Sequence, residues 1–236
     1  METAKTVDRA LHVLTAVGEH GPVPVPELVA HLDLNRTVVY RLLSTLQQHG
    51  YVRQTSRGYV PGPAVIQLAR RIEPLLIACA RPPMEDLARE TGETVVLSLA
   101  QGTEAVSIDQ VVGHRHPLRV EYPIGARSPL SQGASGRVLL SMTDPEIRDL
   151  IMDRVEDRRS LERELDRIAD TGFAESADEL QPGIHGIAVP VTDGHLLASL
   201  SLLAPSGRAR ESKGHRDLLL RAGRRIQDNL KATDAV

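Results

Sequence analysis

Near the start of the chain, Val7, Ala10, Leu11, Leu14 and Val17 recur every three to four residues, which predicts an amphipathic helix. Thr6 is its candidate cap and residues 18–22 its stop. A second short helix follows, with Pro26 in its first turn and Leu28, Val29 and Leu32 on its apolar side. Asp33, Leu34 and Asn35 read as a brief turn, with Asn35 as the N-cap of a third helix. There Val38, Val39, Leu42, Leu43 and Leu46 gather on one side. Thr37, Tyr40, Arg41, Ser44 and Gln48 gather on the other, and Arg36 flanks the N-terminus. Gly50 ends this helix. Two short β-like stretches, 51–54 and 58–60, then surround a turn tipped by Arg57.

The next segment, "PAVIQLARRIEPLLIACARPPMEDLARETGETV", is helical in composition, with interruptions expected at Pro74 and at Pro82-Pro83. Its apolar surface (Val65, Ile66, Leu68, Ala69, Ile72, Leu75, Leu76, Ile77) exceeds what a short helix needs for a local core, so a second chain is its natural cover. After Gly92 the period changes. "TVVLSLA", "EAVSIDQVV" and "PLRVEY" read as strands, and "GASGRVLLSM", "DPEIRDLIM" and "SLERELDRIAD" as helices. "IHGIAVPVTD" and "LLASLSLLA" are strand-like again, and residues 215–231 form a closing amphipathic helix. Strands and helices do not alternate regularly, so the pattern predicts an α+β domain with an antiparallel sheet. The expected organisation is 1–62 as a winged helix-turn-helix, 63–80 as a linker and dimerisation helix, and 81–236 as a second domain.

Charge changes the reading of the first third. The chain carries 31 acidic residues against 28 Lys and Arg, yet residues 34–72 contain no Asp or Glu. Arg36, Arg41, Arg53, Arg57, Arg70 and Arg71 all fall in that stretch. A tight turn before the third helix and a basic hairpin after it describe a winged helix-turn-helix. The third helix fits the ~12 Å major groove, with hydrogen-bonding side chains on its exposed face. A carboxylate on that face would repel phosphate, and none is present. Arg36, Thr37, Tyr40, Arg41, Ser44, Arg53 and Arg57 are therefore the candidate DNA contacts.

Composition narrows the rest. The single cysteine excludes an internal disulfide and any multi-cysteine zinc site. No apolar run approaches the ~20 residues of a membrane span, and Asp8 and Arg9 interrupt the first apolar period, which excludes a signal or transit peptide. A cytoplasmic protein without a membrane partner is expected. With no Trp, one Phe and four Tyr, stacking-based recognition of single strands is disfavoured, and a pocket would be walled by aliphatic side chains. "GASGR" resembles a nucleophile elbow, but Arg137 stands where its last glycine belongs. His114 and His116 lack a further ligand pattern, so no metal, no cofactor and no catalytic residue is expected.

From "TVDRALHVL" onward the chain resembles the IclR family of bacterial one-component transcriptional regulators. The matching pieces are "RTVVYRLLSTLQQHGYV", "ARETGETVVL", "GARSPLSQGASGRVLLS" and "GFAE" with "PGIHGIAVPV", in the family's order. The resemblance implies a GAF-like effector-binding domain, a dimer or dimer of dimers, double-stranded operator DNA as a partner and a small-molecule effector. Carried over position by position, it places the effector against Leu130, Ala134, Ser135, Gly136, Ser176, Ile184, Gly186, Ser201 and Leu203. Ser176 stands where the family often has an acid, and Gly186 where it often has a larger residue, so a roomier and less charged pocket is expected. The amides of Ala134, Ser135 and Gly136, at a helix start, suit a carboxylate. An aromatic or aliphatic catabolic acid is the expected class. The rival readings are a metabolic enzyme with an appended DNA-binding domain and a DNA-binding protein without an effector.

Overall fold

Asn35 sets the start of the third helix, its Oδ1 accepting the Thr37 N–H at 2.8 Å. The computed structural model describes residues 4–194 and 196–234, in two compact units that divide after Glu73. The first holds α1 (Lys5–His20), α2 (Val25–Leu32), α3 (Arg36–Gln48), the hairpin of β1 (Val52–Thr55) and β2 (Gly58–Pro61), and α4 (Pro63–Ala69). Val13, Val17, Leu28, Val39, Leu42, Leu43, Leu46, Val52 and Tyr59 make its core.

The α1 stripe is rotated from the expected one. Val13 and Val17 are buried, whereas Val7 and Leu11 are 58% and 57% exposed. Thr6 lies inside the helix and does not cap it, since Ala4 is the N-cap residue. The physical reason is that α2 and α3 cover only the Val13–Val17 side. The wing is anchored across this unit: Val23 and Tyr59 exchange backbone hydrogen bonds of 3.0 and 2.9 Å. Gly58, at φ 139°, lies so close that a Cβ there would sit 2.5 Å from the Val23 carbonyl.

The second unit comprises α5 (Pro74–Thr91), β3 (Thr94–Gln101), β4 (Glu104–Val111), β5 (Arg127–Pro129), α6 (Gly133–Met142), α7 (Pro145–Met152), α8 (Arg158–Thr171), β6 (Ala174–Ala177), β7 (Ile184–Thr192), β8 (Leu197–Pro205), α9 (Ala209–Gly214) and α10 (Arg216–Asp234). Its six strands pair antiparallel in the order β5-β4-β3-β8-β7-β6. One sheet face packs on α5 and α10 through Val95, Leu97, Ile187, Val189, Leu200 and Leu202. The other packs on α6 and α8, where Val138, Leu139, Leu165 and Ile168 are buried.

Three expectations change here. The helix is not interrupted at Pro82-Pro83, because α5 runs through both prolines. Pro83 cannot donate to the Cys79 carbonyl, but the Asn229 side-chain amide does so at 3.1 Å, which offsets part of the usual cost. "PLRVEY" forms no strand. It is tied down by single bonds instead, Thr94 Oγ1 to the Val120 carbonyl and Arg208 to the Leu118 carbonyl. In compensation, β5 and β6 are strands that the sequence pattern did not mark, being three and four residues long with no apolar alternation. Neither run is long enough to reveal a period of two.

Candidate functional site

All seven candidate DNA residues (Arg36, Thr37, Tyr40, Arg41, Ser44, Arg53 and Arg57) are exposed. The helical repeat brings Tyr40, Ser44, Gln47 and Gln48 into one shallow groove, floored by Tyr59 of the wing. Arg41 lies beside them, in a second hollow with Thr6, Arg9 and Thr45. Arg36 is held along the helix: its guanidinium lies 5.6 Å from the Tyr40 ring centroid and 3.4 Å from the Tyr40 hydroxyl. A stacked guanidinium keeps free donors at its edge. Gln47 joins this face although helical spacing alone did not single it out.

On the sheet face under α6, antiparallel register aligns small polar residues. Ser98 pairs with Ser199, and Val96 with Ser201, on β3 and β8. Gly186 lies between Leu203 and Ser176 in the next row. The start of α6 closes over this floor, and Ser135 and Ser199 share a hydrogen bond of 2.5 Å between their hydroxyls. A cleft of about 50 Å³ results. Ala134, Ser135, Ser176, Ile184, Gly186, Ser201 and Leu203 line it, joined by Ser98, Ser128, Tyr122, Glu179 and Leu180. Two expected residues do not line it. Leu130 is fully buried in the core beneath α6, and Gly136 faces the strand-to-helix turn, where a Cβ would meet the Pro129 carbonyl oxygen at 2.7 Å. The cleft is narrow. A Cβ at Gly186 would lie only 3.1 Å from Ser176 Oγ and 3.2 Å from Leu203 Cδ2, so the missing side chain is what keeps it open.

Glu179 brings charge to its wall. Glu179 takes the Gly133 N–H at 2.9 Å and is gripped by Arg137 at 2.6 and 2.8 Å. Burial opposes its ionisation, but the Arg137 guanidinium and the Gly133 amide outweigh that and hold its carboxyl below the ordinary value of 4.5. Gly133 has φ 71°, and a side chain there would drive into Leu180. The segment that carries Glu179 therefore packs directly on the helix terminus. No strand or helix covers residues 178–183, which is why periodicity passed over Glu179. His114 and His116 lie apart from the cleft, near Arg119 and Glu93 respectively.

A winged helix-turn-helix followed by an α+β unit with a largely apolar, serine-dotted cleft defines a DNA-binding regulator that carries its own ligand domain. Residues 6–56 match the IclR helix-turn-helix domain, and residues 73–228 match the C-terminal domain of bacterial transcriptional regulators of the IclR type. The chain belongs to the IclR family of transcriptional regulators. It is 32% identical over 228 residues to the HTH-type transcriptional regulator KdgR of Escherichia coli (strain K12), covering 90% of this chain and 86% of that protein. The crystal structure of IclR from Thermotoga maritima aligns with a TM-score of 0.72 at 26% identity, covering 96% of this chain and 98% of that one. An IclR homologue from Microbacterium hydrocarbonoxydans, complexed with 4-hydroxybenzoate, shares the fold with a TM-score of 0.84 at 21% identity, covering 96% and 99%. Among the described residues, no helix is long and apolar enough to cross a membrane.

Proposed function

We propose that this regulator binds operator DNA as a dimer or dimer of dimers, and that a small carboxylate metabolite in the cleft changes its DNA affinity. The observation that carries the DNA half is the composition of the α3 face: Thr37, Tyr40, Arg41 and Ser44 are exposed, and no acid intervenes. In this reading α3 enters the major groove, and Arg53 and Arg57 of the wing meet phosphates. Five apolar side chains of the first unit, Val7, Leu11, Ile66, Leu68 and Ile72, are exposed, which supports pairing with a second chain along α1 and the 63–80 linker. A two-fold dimer presents two recognition helices, so the operator is expected to hold two half-sites.

Arg41→Ala should weaken binding to a duplex selected from a random pool by ~1–3 kcal/mol if Arg41 reads a base edge. Arg57→Ala should weaken all sequences alike and reduce the slope of log affinity against log salt by about one. Fluorescence anisotropy at matched salt measures both. Unchanged affinity in two folded variants would remove the assignment of this face.

The ligand half rests on the start of α6. The amides of Ala134 and Ser135 have no acceptor among the described residues, and both residues line the cleft. Amides in the first turn of a helix favour an anion. The homologue complexed with 4-hydroxybenzoate, an organic acid, supports the same ligand class. Replacing the carboxylate of a bound acid by a neutral amide should weaken binding at least tenfold, or ~1.4 kcal/mol. Equal affinity for acid and amide, measured by calorimetry, would place the recognition elsewhere.

A further inference from the structure

We propose that Glu179 selects for a hydroxyl next to the ligand's carboxylate, so that the cleft takes a small aliphatic 2-hydroxy acid in preference to a plain acid. The inference rests on the reading of the cleft as the effector site. It starts from a count of acceptor sites. A carboxylate offers about four lone-pair directions. Oε2 of Glu179 accepts from Gly133 and from Arg137, and Oε1 accepts a second bond from Arg137. One direction on Oε1 remains unfilled, and Glu179 lines the cleft. It can take a donor, and it repels a second carboxylate placed against it.

The neighbouring donors fit that geometry. Glu179 holds the amide of Gly133, and the unpaired amides of Ala134 and Ser135 follow directly in the chain. A ligand carboxylate on those amides lies beside Glu179, where a hydroxyl on its adjacent carbon relieves the repulsion by donating to the open site. An alkyl group in the same place leaves that acceptor unsatisfied.

A second, independent observation points to a ligand with a further polar atom over the sheet. Ser201 is 2% exposed and lines the cleft, yet its Oγ has no hydrogen-bond partner among the described residues. Native proteins rarely bury a hydroxyl unpaired. Ser98, Ser128 and Ser176 also bring hydroxyls to the cleft lining. The free volume of about 50 Å³ holds only a few water-sized groups, which fits a short chain better than a ring.

Calorimetry on the full chain tests this with three probes: glycerate, 2-methylbutanoate (both hydroxyls replaced by methyls) and glyceramide. The expected result is that glycerate binds at least tenfold more tightly than either of the others. Glu179→Gln, folded as judged by its thermal melt, should cut the preference for glycerate over 2-methylbutanoate to under about threefold. If that variant does not fold, Ser201→Ala should narrow the same ratio. Glycerate and 2-methylbutanoate binding equally, both ahead of glyceramide, overturns the role of Glu179 and leaves the carboxylate reading intact. Glycerate and glyceramide binding equally, both ahead of 2-methylbutanoate, upholds the hydroxyl preference and removes the carboxylate from the α6 amides. No heat from any probe at millimolar concentration overturns the inference.

Discussion

Arg208→Ala is expected to destabilise the second unit by about 3 kcal/mol, the lower end of the range for breaking a buried ion pair. Arg208 grips Glu93 with Nε and Nη2 at 2.6 and 2.9 Å, and donates to the Leu118 carbonyl at 2.9 Å. The Glu93 side chain is 3% exposed and that of Arg208 19%, so truncation leaves a carboxylate out of water, with the His116 ring nitrogen 3.9 Å away. The same change removes one of the bonds that hold residues 117–122, leaving those from Thr94 to Val120 and from Tyr122 to Gln110. For a unit of this size the cost corresponds to a fall of roughly 6–12 °C in melting temperature. Removing both charges with Glu93→Leu and Arg208→Met should recover most of it, because well-packed apolar replacements of a buried pair are often neutral. A single variant that melts like the parent would show that Glu93 reaches solvent or another partner once Arg208 is gone.

The second large effect belongs to the DNA-binding unit. Leu43 is fully buried on the inner side of α3, in the same core as Val13, Val17, Leu28 and Val39. Leu43→Ala removes its packing and leaves a void, which costs ~2–5 kcal/mol. A domain this small has only ~3–5 kcal/mol from its core, so the head should be largely unfolded at 37 °C. Hydrogen exchange should show protection lost across α1 to α3 and retained in β3, β7 and β8, with DNA binding abolished. Leu43→Met, of similar volume, should cost under ~1.5 kcal/mol and keep DNA binding. Full protection of α3 in the alanine variant would mean that the site collapses to fill the void.

The exposed polar side of α3 was legible in the sequence because two independent signals coincide there. The 3.6-residue period assigned Val38, Val39, Leu42, Leu43 and Leu46 to one side, and the absence of acid marked the opposite one. The structure buries the last four, leaves Val38 half-buried and exposes Thr37, Tyr40, Arg41 and Ser44. Local geometry suffices for such a face, since every residue in it belongs to one helix. The α1 stripe was misjudged for the converse reason: Val7 and Leu11 share a helix face, but only the neighbouring helices decide which part of it is covered.

The cleft was legible in pieces. Seven of the nine expected positions line it, because the family resemblance placed them on β6, β7, β8 and the start of α6. Leu130 and Gly136 fell outside, for the turn into α6 points one into the core and the other at backbone. Ser98 and Ser128 carried no signal beyond a serine in or near an apolar run.

By itself, then, the sequence determined the helices and wing of the first unit, the long strands β3, β4, β7 and β8, the exposed polar side of α3 and the family, all of which depend on residues close together in the chain. The tertiary structure alone decided what fills the anion-attracting end of α6. Glu179 and Gly133 lie 46 positions apart, and Arg137 and Glu179 lie 42 apart. No local period links residues so far apart. Only the folding of β6 and β7 beside α6 brings the segment between those strands onto the helix terminus, and so sets a carboxylate in the wall of the cleft.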